Sequence, residues 1–315
     1  MKRILSLLLA LIMVFTFAGC TGKTSETTTE EKTETTETIE VAEGFTGNYV
    51  VSPSYVKDNL NNENVIFVDA RGEDAAKKGT VPNAIVMTWQ QIADVEGKKP
   101  GDEGWGHMLE KGLLAERLGA LGLDKNKEIV LFAEGKNGWG DNGRILWELK
   151  AAGYKNLKMV DGDFSKIKDT GIEITTDITP HEPVEVVIDE MDYKNTINTK
   201  ELTESFDNYL VIDSREKDEY DGATKYGEAK GGHLPKSINI PYTSMFDENG
   251  MLISNEKMEA LFKDAGLNKD DEIVTYCTGG IRSAYMQLIM EELGYNNVKN
   301  YEGSYYNWAA INEVE

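Results

Sequence analysis

The chain has 315 residues, 40% hydrophobic and 28% charged, enough for roughly two globular domains at about 100–200 residues each, which excludes disorder throughout. Its 33 Lys and Arg against 55 Asp and Glu give a formal charge of −22, which repels phosphate backbones and excludes nucleic acid as a partner. Two cysteines, Cys20 and Cys277, and three histidines, His107, His181 and His233, are too few for a disulfide framework or a His/Cys zinc site, so no metal and no cofactor is expected.

In chain order, Lys2 and Arg3 precede an apolar run from Ile4 to Phe17, about 14 residues and shorter than the ~20 that cross a bilayer, so residues 1–19 read as an export signal. Its end, Phe17-Ala18-Gly19-Cys20, resembles a bacterial lipobox, with Phe17 in place of the usual Leu. The resemblance implies that Cys20 is lipidated and that the domains lie outside the cytoplasm, touching the membrane through the lipid anchor only. An ordinary cleaved signal shares these small residues and implies export equally. Residues 20–44 form a tether: Thr21 to Glu43 holds nine Thr, seven Glu and two Lys, too few apolar groups to offset chain entropy. Lipidation leaves Cys277 as the only thiol, and a lone cysteine in an exported fold makes no internal disulfide.

The remainder repeats. Val65 to Arg71 matches Leu210 to Arg215 with Asp69 and Asp213 separated by 144 residues, Glu128–Phe132 matches Glu272–Tyr276 at 144, and Gly153-Tyr154 matches Gly294-Tyr295 at 141. Each β-branched run predicts a buried parallel strand, and each is followed by a helical period such as Ile145, Leu146 and Leu149, or Met286, Leu288, Ile289 and Leu293. The fold class is therefore α/β, in two copies at 45–175 and 190–315, each a mainly parallel sheet flanked by helices. The segment 176–189, with Pro180 and Pro183, predicts the linker.

Ligands of open α/β sheets bind beyond the carboxyl ends of strands, and the turn after Tyr276 holds the lone cysteine. In Cys277-Thr278-Gly279-Gly280-Ile281-Arg282-Ser283, two glycines free successive N–H groups at a helix start, an anion-binding nest. A thiolate is such an anion, and Arg282 is a nearby cation, so Cys277 reads as an ionised nucleophile. A lone cysteine is more often a small buried hydrophobe. Here the repeat carries Ala133 in its place, so the fold needs no thiol there.

These features together resemble the rhodanese (sulfurtransferase) family: Cys-x-x-Gly-x-Arg after a strand, Asp213-Ser214-Arg215 with Glu219-Tyr220, Gly232 to Pro241, and Glu302-Gly303-Ser304-Tyr305-Tyr306-Asn307-Trp308. The resemblance spans the whole chain after the tether. It implies a tandem enzyme whose first domain lacks the nucleophile. Cys277 would take a sulfane sulfur from a small-molecule donor as a persulfide, cradled by the backbone of Thr278 to Ser283, and pass it to a thiophilic acceptor. Arg282 and Arg215 would contact the donor anion, Arg215 having an ion pair with Glu219 or Asp213 as its structural alternative. Four residues separate Cys277 from Arg282, the family's sulfur-handling length and one fewer than in related phosphatases. The loop has neither the two basic residues after Cys of the thiosulfate type nor the Ser two positions on of the mercaptopyruvate type. The Arg282 charge favours thiosulfate, with 3-mercaptopyruvate second.

Two features are set aside. Gly138-Trp139-Gly140-Asp141-Asn142-Gly143 has the form of a dinucleotide fingerprint, but five residues separate it from the strand. It is expected to be the remodelled counterpart of the Cys277 loop, three residues longer, with Arg144 matching Tyr285. His233, Tyr305 and Trp308 are expected to serve the fold, and His107 and His181 have no visible partners. The rival reading is a two-lobed surface lipoprotein that binds a small sulfur anion without turnover.

Overall fold

The computed structural model describes residues 44–315; the expected export signal, Cys20 and the expected tether up to residue 43 lie outside the described residues. Domain one comprises β1 (Val50–Val51), α1 (Pro53–Asn59), β2 (Val65–Asp69), α2 (Glu73–Ala76), β3 (Ile85–Val86), an antiparallel ribbon of β4 (Ala93–Asp94) and β5 (His107–Met108), α3 (Lys111–Ala120), β6 (Glu128–Phe132), α4 (Asp141–Ala151), β7 (Leu157–Val160) and α5 (Phe164–Asp169). Domain two comprises β8 (Thr196–Ile197), α6 (Thr199–Ser205), β9 (Leu210–Asp213), α7 (Lys217–Tyr220), β10 (Ile238–Asn239), α8 (Asn255–Asp264), β11 (Ile273–Tyr276), α9 (Ile281–Glu292), β12 (Val298–Tyr301) and α10 (Ser304–Ile311).

Each domain is built on a five-stranded parallel sheet, and the two orders are the same: β3-β2-β6-β7-β1 and β10-β9-β11-β12-β8. The central strands are apolar almost without alternation because helices cover both faces, and every residue of β11 is buried. Between the sheets, 176–189 holds no helix or strand. It runs against α3, where Val184 N–H donates to Gly119 O at 3.0 Å. A Cβ on Gly119 would lie 2.5 Å from Val184 O, so only glycine admits this approach.

The helices that follow the two central strands, α4 and α9, are buried on nearly all sides, as helices inside a core are. They pack on each other across the domains: a Cβ on Gly143 would stand 2.6 Å from Tyr285 Cδ2. Ile145, Leu146, Tyr285, Met286 and Ile289 belong to one apolar core drawn from both halves. Each helix begins at a left-handed glycine, Gly140 at φ 75° and Gly280 at φ 84°.

These two glycines correct the repeat register. Seven residues lie between Phe132 and Gly140, but three between Tyr276 and Gly280, so the domain-one loop is longer by four and not by three. Helix α4, at 11 residues, is one shorter than α9 at 12, which restores the 141 offset at Gly153 and Gly294. Arg144 therefore matches Ala284 and not Tyr285. The fingerprint-like glycines also have local reasons: a Cβ on Gly138 would meet Glu134 O at 2.5 Å, Gly140 is left-handed, and Gly143 meets Tyr285.

Candidate active site

Strand β11 ends at Tyr276, and its parallel neighbour β9 ends at Asp213 in the same register, so both chains turn at one edge of the sheet. Cys277 is the first residue of that turn and is 1% exposed. The Gly280 N–H donates to Cys277 Sγ at 3.1 Å, which the left-handed turn at Gly280 makes possible. The segment that opens α10 clamps the turn from the other side. Cys277 N–H donates to Ser304 Oγ at 2.8 Å, while the Tyr305 and Tyr306 amides donate to the Cys277 and Thr278 carbonyls, each at 3.0 Å. Ser304 holds φ 51°, a strained conformation for a non-glycine residue, and is fully buried.

Burial pushes the Cys277 thiol up, but the Arg282 charge and the amides of Ser283 and Gly279 outweigh it and hold the thiol below its ordinary value. The Ser283 hydroxyl donates to Asn300 Oδ1 at 2.7 Å, so the contribution of Ser283 to the sulfur rests on its amide. Thr278, Gly279, Gly280, Ile281, Arg282 and Ser283 thus share one turn with Cys277, as their order in the chain requires.

The two arginines sit differently from expectation. Arg282 Nη1 and Nη2 donate to the two Glu219 oxygens at 2.7 and 2.8 Å, and Thr278 Oγ1 accepts from Nη2 and donates to Glu219 Oε1. Both terminal nitrogens of the guanidinium are therefore occupied, Nε has no partner among the described residues, and the charge acts on the sulfur through space. Burial works against the Glu219 carboxylate, but Arg282 and Thr278 hold it below the usual range.

Arg215 is held by the fold. It is fully buried, forks onto Asp213 through Nε at 3.0 Å and Nη2 at 2.6 Å, donates to Gly232 O at 2.8 Å and lies 3.8 Å over the Tyr305 ring. Domain one repeats this arrangement without a cysteine: Arg71 forks onto Asp69, donates to Gly79 O at 2.8 Å and lies 3.7 Å over Phe164. An arrangement present in both copies serves the fold. His233 does too, stacked on Tyr220 with centroids 3.7 Å apart and its Nδ1 3.0 Å from Tyr220 O.

Domain one supplies side chains that the sequence reading did not place. A Cβ on Gly279 would stand 3.2 Å from Trp105, which packs edge-on against Tyr306 at 5.2 Å. Trp139, from the lengthened loop, lies 4.9 Å from Arg282 Cζ and edge-on against Tyr226 at 4.7 Å. The Tyr306 hydroxyl donates to Tyr226 O at 2.8 Å, so four aromatic residues from both domains surround the loop. Nearby, a cavity of about 640 Å³ opens between His107 and Glu103 of domain one and Lys200, Glu302 and Asn307 of domain two; Cys277 does not line it. There His107 finds the partners its sequence hid, Nε2 3.2 Å from Asn307 Oδ1 and Nδ1 3.5 Å from Glu302 Oε1.

Comparison with known proteins matches the rhodanese-like domain to residues 52–170 and again to 195–311. A Saccharopolyspora erythraea protein named "Putative thiosulfate sulfurtransferase" is 28% identical over 271 residues, covering 83% of this chain and 93% of its own. The "Sulfur carrier protein TtuD" of Thermus thermophilus is 25% identical over 277 residues, covering 83% and 94%. The crystal structure of Tum1 from Saccharomyces cerevisiae superposes with a TM-score of 0.71 at 18% identity, over 82% of this chain and 94% of that one, a likeness of fold.

Proposed function

Because this chain belongs to the rhodanese-like family, with two tandem copies of its domain, we propose that it is a sulfurtransferase whose sulfur carrier is Cys277. The observation that carries the reading is the Gly280 N–H on Cys277 Sγ at 3.1 Å, within a turn whose charges and amides favour the thiolate. The thiolate attacks the outer sulfur of thiosulfate; a Cys277–sulfur bond forms, the sulfur–sulfur bond of the donor breaks, and sulfite leaves with the electron pair. The terminal persulfide sulfur, now anionic, replaces the thiolate as the group faced by the loop amides. A thiophile such as cyanide then attacks that sulfur and leaves as thiocyanate, and the Cys277 thiolate returns. Donor and acceptor bind in turn to one nucleophile, so the kinetics are ping-pong.

Thiosulfate is the first donor because relatives at 25–28% identity bear that name, and 3-mercaptopyruvate is the second. With Arg282 held by Glu219, the charge of the donor falls to the loop amides and the N-terminus of α9. Domain one, which has no cysteine in its folded part, covers the site and supplies no nucleophile of its own. We further propose export and attachment to the membrane through a lipid on Cys20, a reading that rests on residues 2–20; a Cys20→Ala variant should lose incorporation of labelled palmitate.

Intact and peptide mass spectrometry of the desalted protein after thiosulfate or 3-mercaptopyruvate tests the transfer. One added sulfur on the Cys277 peptide, removed by cyanide and absent in Cys277→Ser, is expected. No added sulfur from either donor with Cys277 reduced would overturn the enzyme reading, and saturable donor binding that survives Cys277→Ala would favour a solute receptor.

A further inference from the structure

Arg144 takes no part in the transfer just described, yet it is completely buried in α4 of domain one and reaches the catalytic loop of domain two. A guanidinium taken out of water needs its donors met. Nη2 donates to Gly106 O at 2.6 Å and Nη1 to Gly280 O at 3.2 Å, so one planar group joins a carbonyl from each domain. The rings of Trp89 and Trp147 lie 5.2 and 4.7 Å from its Cζ. Its neighbour Glu148 comes within 3.5 Å of Nε, but neither carboxyl oxygen nor Nε has a hydrogen-bond partner among the described residues. Burial pushes the Glu148 carboxyl up to about 8 in spite of Arg144, with Glu302 adding to the rise.

The carbonyl that Arg144 holds belongs to the residue whose amide faces the sulfur. Asn300 Nδ2 donates to the same carbonyl at 3.3 Å. With the carbonyl gripped by two donors, ψ of Gly280 is fixed and the amide on its other flank stays on Cys277 Sγ. The contact is close: a Cβ on Gly280 would stand 2.8 Å from Arg144 Nη1. Counted from the left-handed glycine, the equivalent position in α9 is Ala284, equally buried, so the helix pair itself needs no arginine there.

We propose that Arg144 is a positioning residue of the sulfur-transfer site, through which domain one sets the geometry of the Cys277 loop and favours its thiolate. The proposal rests on Cys277 being the sulfur carrier, and its test reads the thiol without any sulfur donor. Iodoacetamide alkylation of the full chain, followed on the Cys277 peptide across pH, is compared in wild type, Arg144→Met and Arg144→Lys, beside turnover with thiosulfate and cyanide. Arg144→Met should raise the alkylation midpoint and cut kcat roughly tenfold, the size expected for losing a charged hydrogen bond, with a smaller change in donor KM. Arg144→Lys, which keeps the charge but not the fork, should fall between.

An unchanged midpoint and kcat in folded Arg144→Met would overturn the proposal. If that variant does not fold, Arg144→Lys decides: a wild-type midpoint and kcat overturn it, and a raised midpoint with lowered kcat supports it. Failure of sulfur loading in wild type, with the midpoint shift intact, would instead count against the sulfurtransferase reading.

Discussion

Glu219 takes both terminal nitrogens of Arg282, at 2.7 and 2.8 Å, so the cation beside Cys277 is already paired before any donor arrives. Glu219→Gln removes the balancing charge and should move the Cys277 alkylation midpoint lower still. The unpaired buried guanidinium should cost about 3 kcal/mol of stability, read by denaturant unfolding. A midpoint that rises instead would mean that Glu219 serves the thiolate by aiming Arg282.

Arg215 and Arg71 occupy equivalent places, each forked onto the aspartate two residues before it. Arg215→Met and Arg71→Met should therefore behave alike, each losing on the order of 3 kcal/mol by leaving a buried carboxylate unpaired. The donor KM of folded Arg215→Met should match wild type. A KM rise confined to Arg215→Met would restore a substrate role to that residue.

Ser304 combines a strained φ of 51° with the hydroxyl that accepts the Cys277 amide. Ser304→Ala keeps the strain and strands the amide, and should lose about 1–2 kcal/mol of stability together with transfer rate. Ser304→Gly loses the same bond but relaxes the backbone, so it should be the more stable of the two and equally slow. Thermal unfolding and steady-state turnover of the pair separate the two contributions.

The raised carboxyl of Glu148 gives stability a pH signature. Because its folded value, about 8, lies above the ordinary 4.5, folding favours the protonated form. Its contribution is complete below about pH 4.5 and is lost as pH rises through 8. Glu148→Gln should remove that loss, so its unfolding free energy should gain on wild type steadily between those limits. Parallel curves for the two proteins would show that Glu148 is already ionised in the fold.

The sheet strands and the Cys277 turn were legible for local reasons. A strand buried on both faces must be apolar along its length, and a nest at a helix start needs glycines and a cysteine adjacent in sequence. Side-chain partners across long separations were not. Glu219 stands 63 residues before Arg282, and nothing local distinguishes that pairing from the nearer one of Arg215 with Asp213. Arg144, Trp105 and Trp139 act across the domain boundary, where no periodicity within one domain points. The repeat register slipped at the start of α4 because a four-residue insertion and a one-residue deletion look like three when read from the flanking strands. Only the backbone sign at Gly140 and Gly280 separates them.

The longer loop of domain one also bears on whether that copy could carry a nucleophile. Ala133 stands at the strand end where Cys277 stands in domain two, so Ala133→Cys restores the element in one step. But seven residues, not three, then separate that strand from the left-handed glycine that starts the helix, and Asp163, not a serine, accepts the loop amides, Gly135 N–H at 2.7 Å. A thiol at 133 would lack the short turn that sets the Gly280 amide on Cys277 Sγ, and it should take up no sulfur. Giving the first copy this chemistry thus requires shortening its backbone as well as replacing one residue.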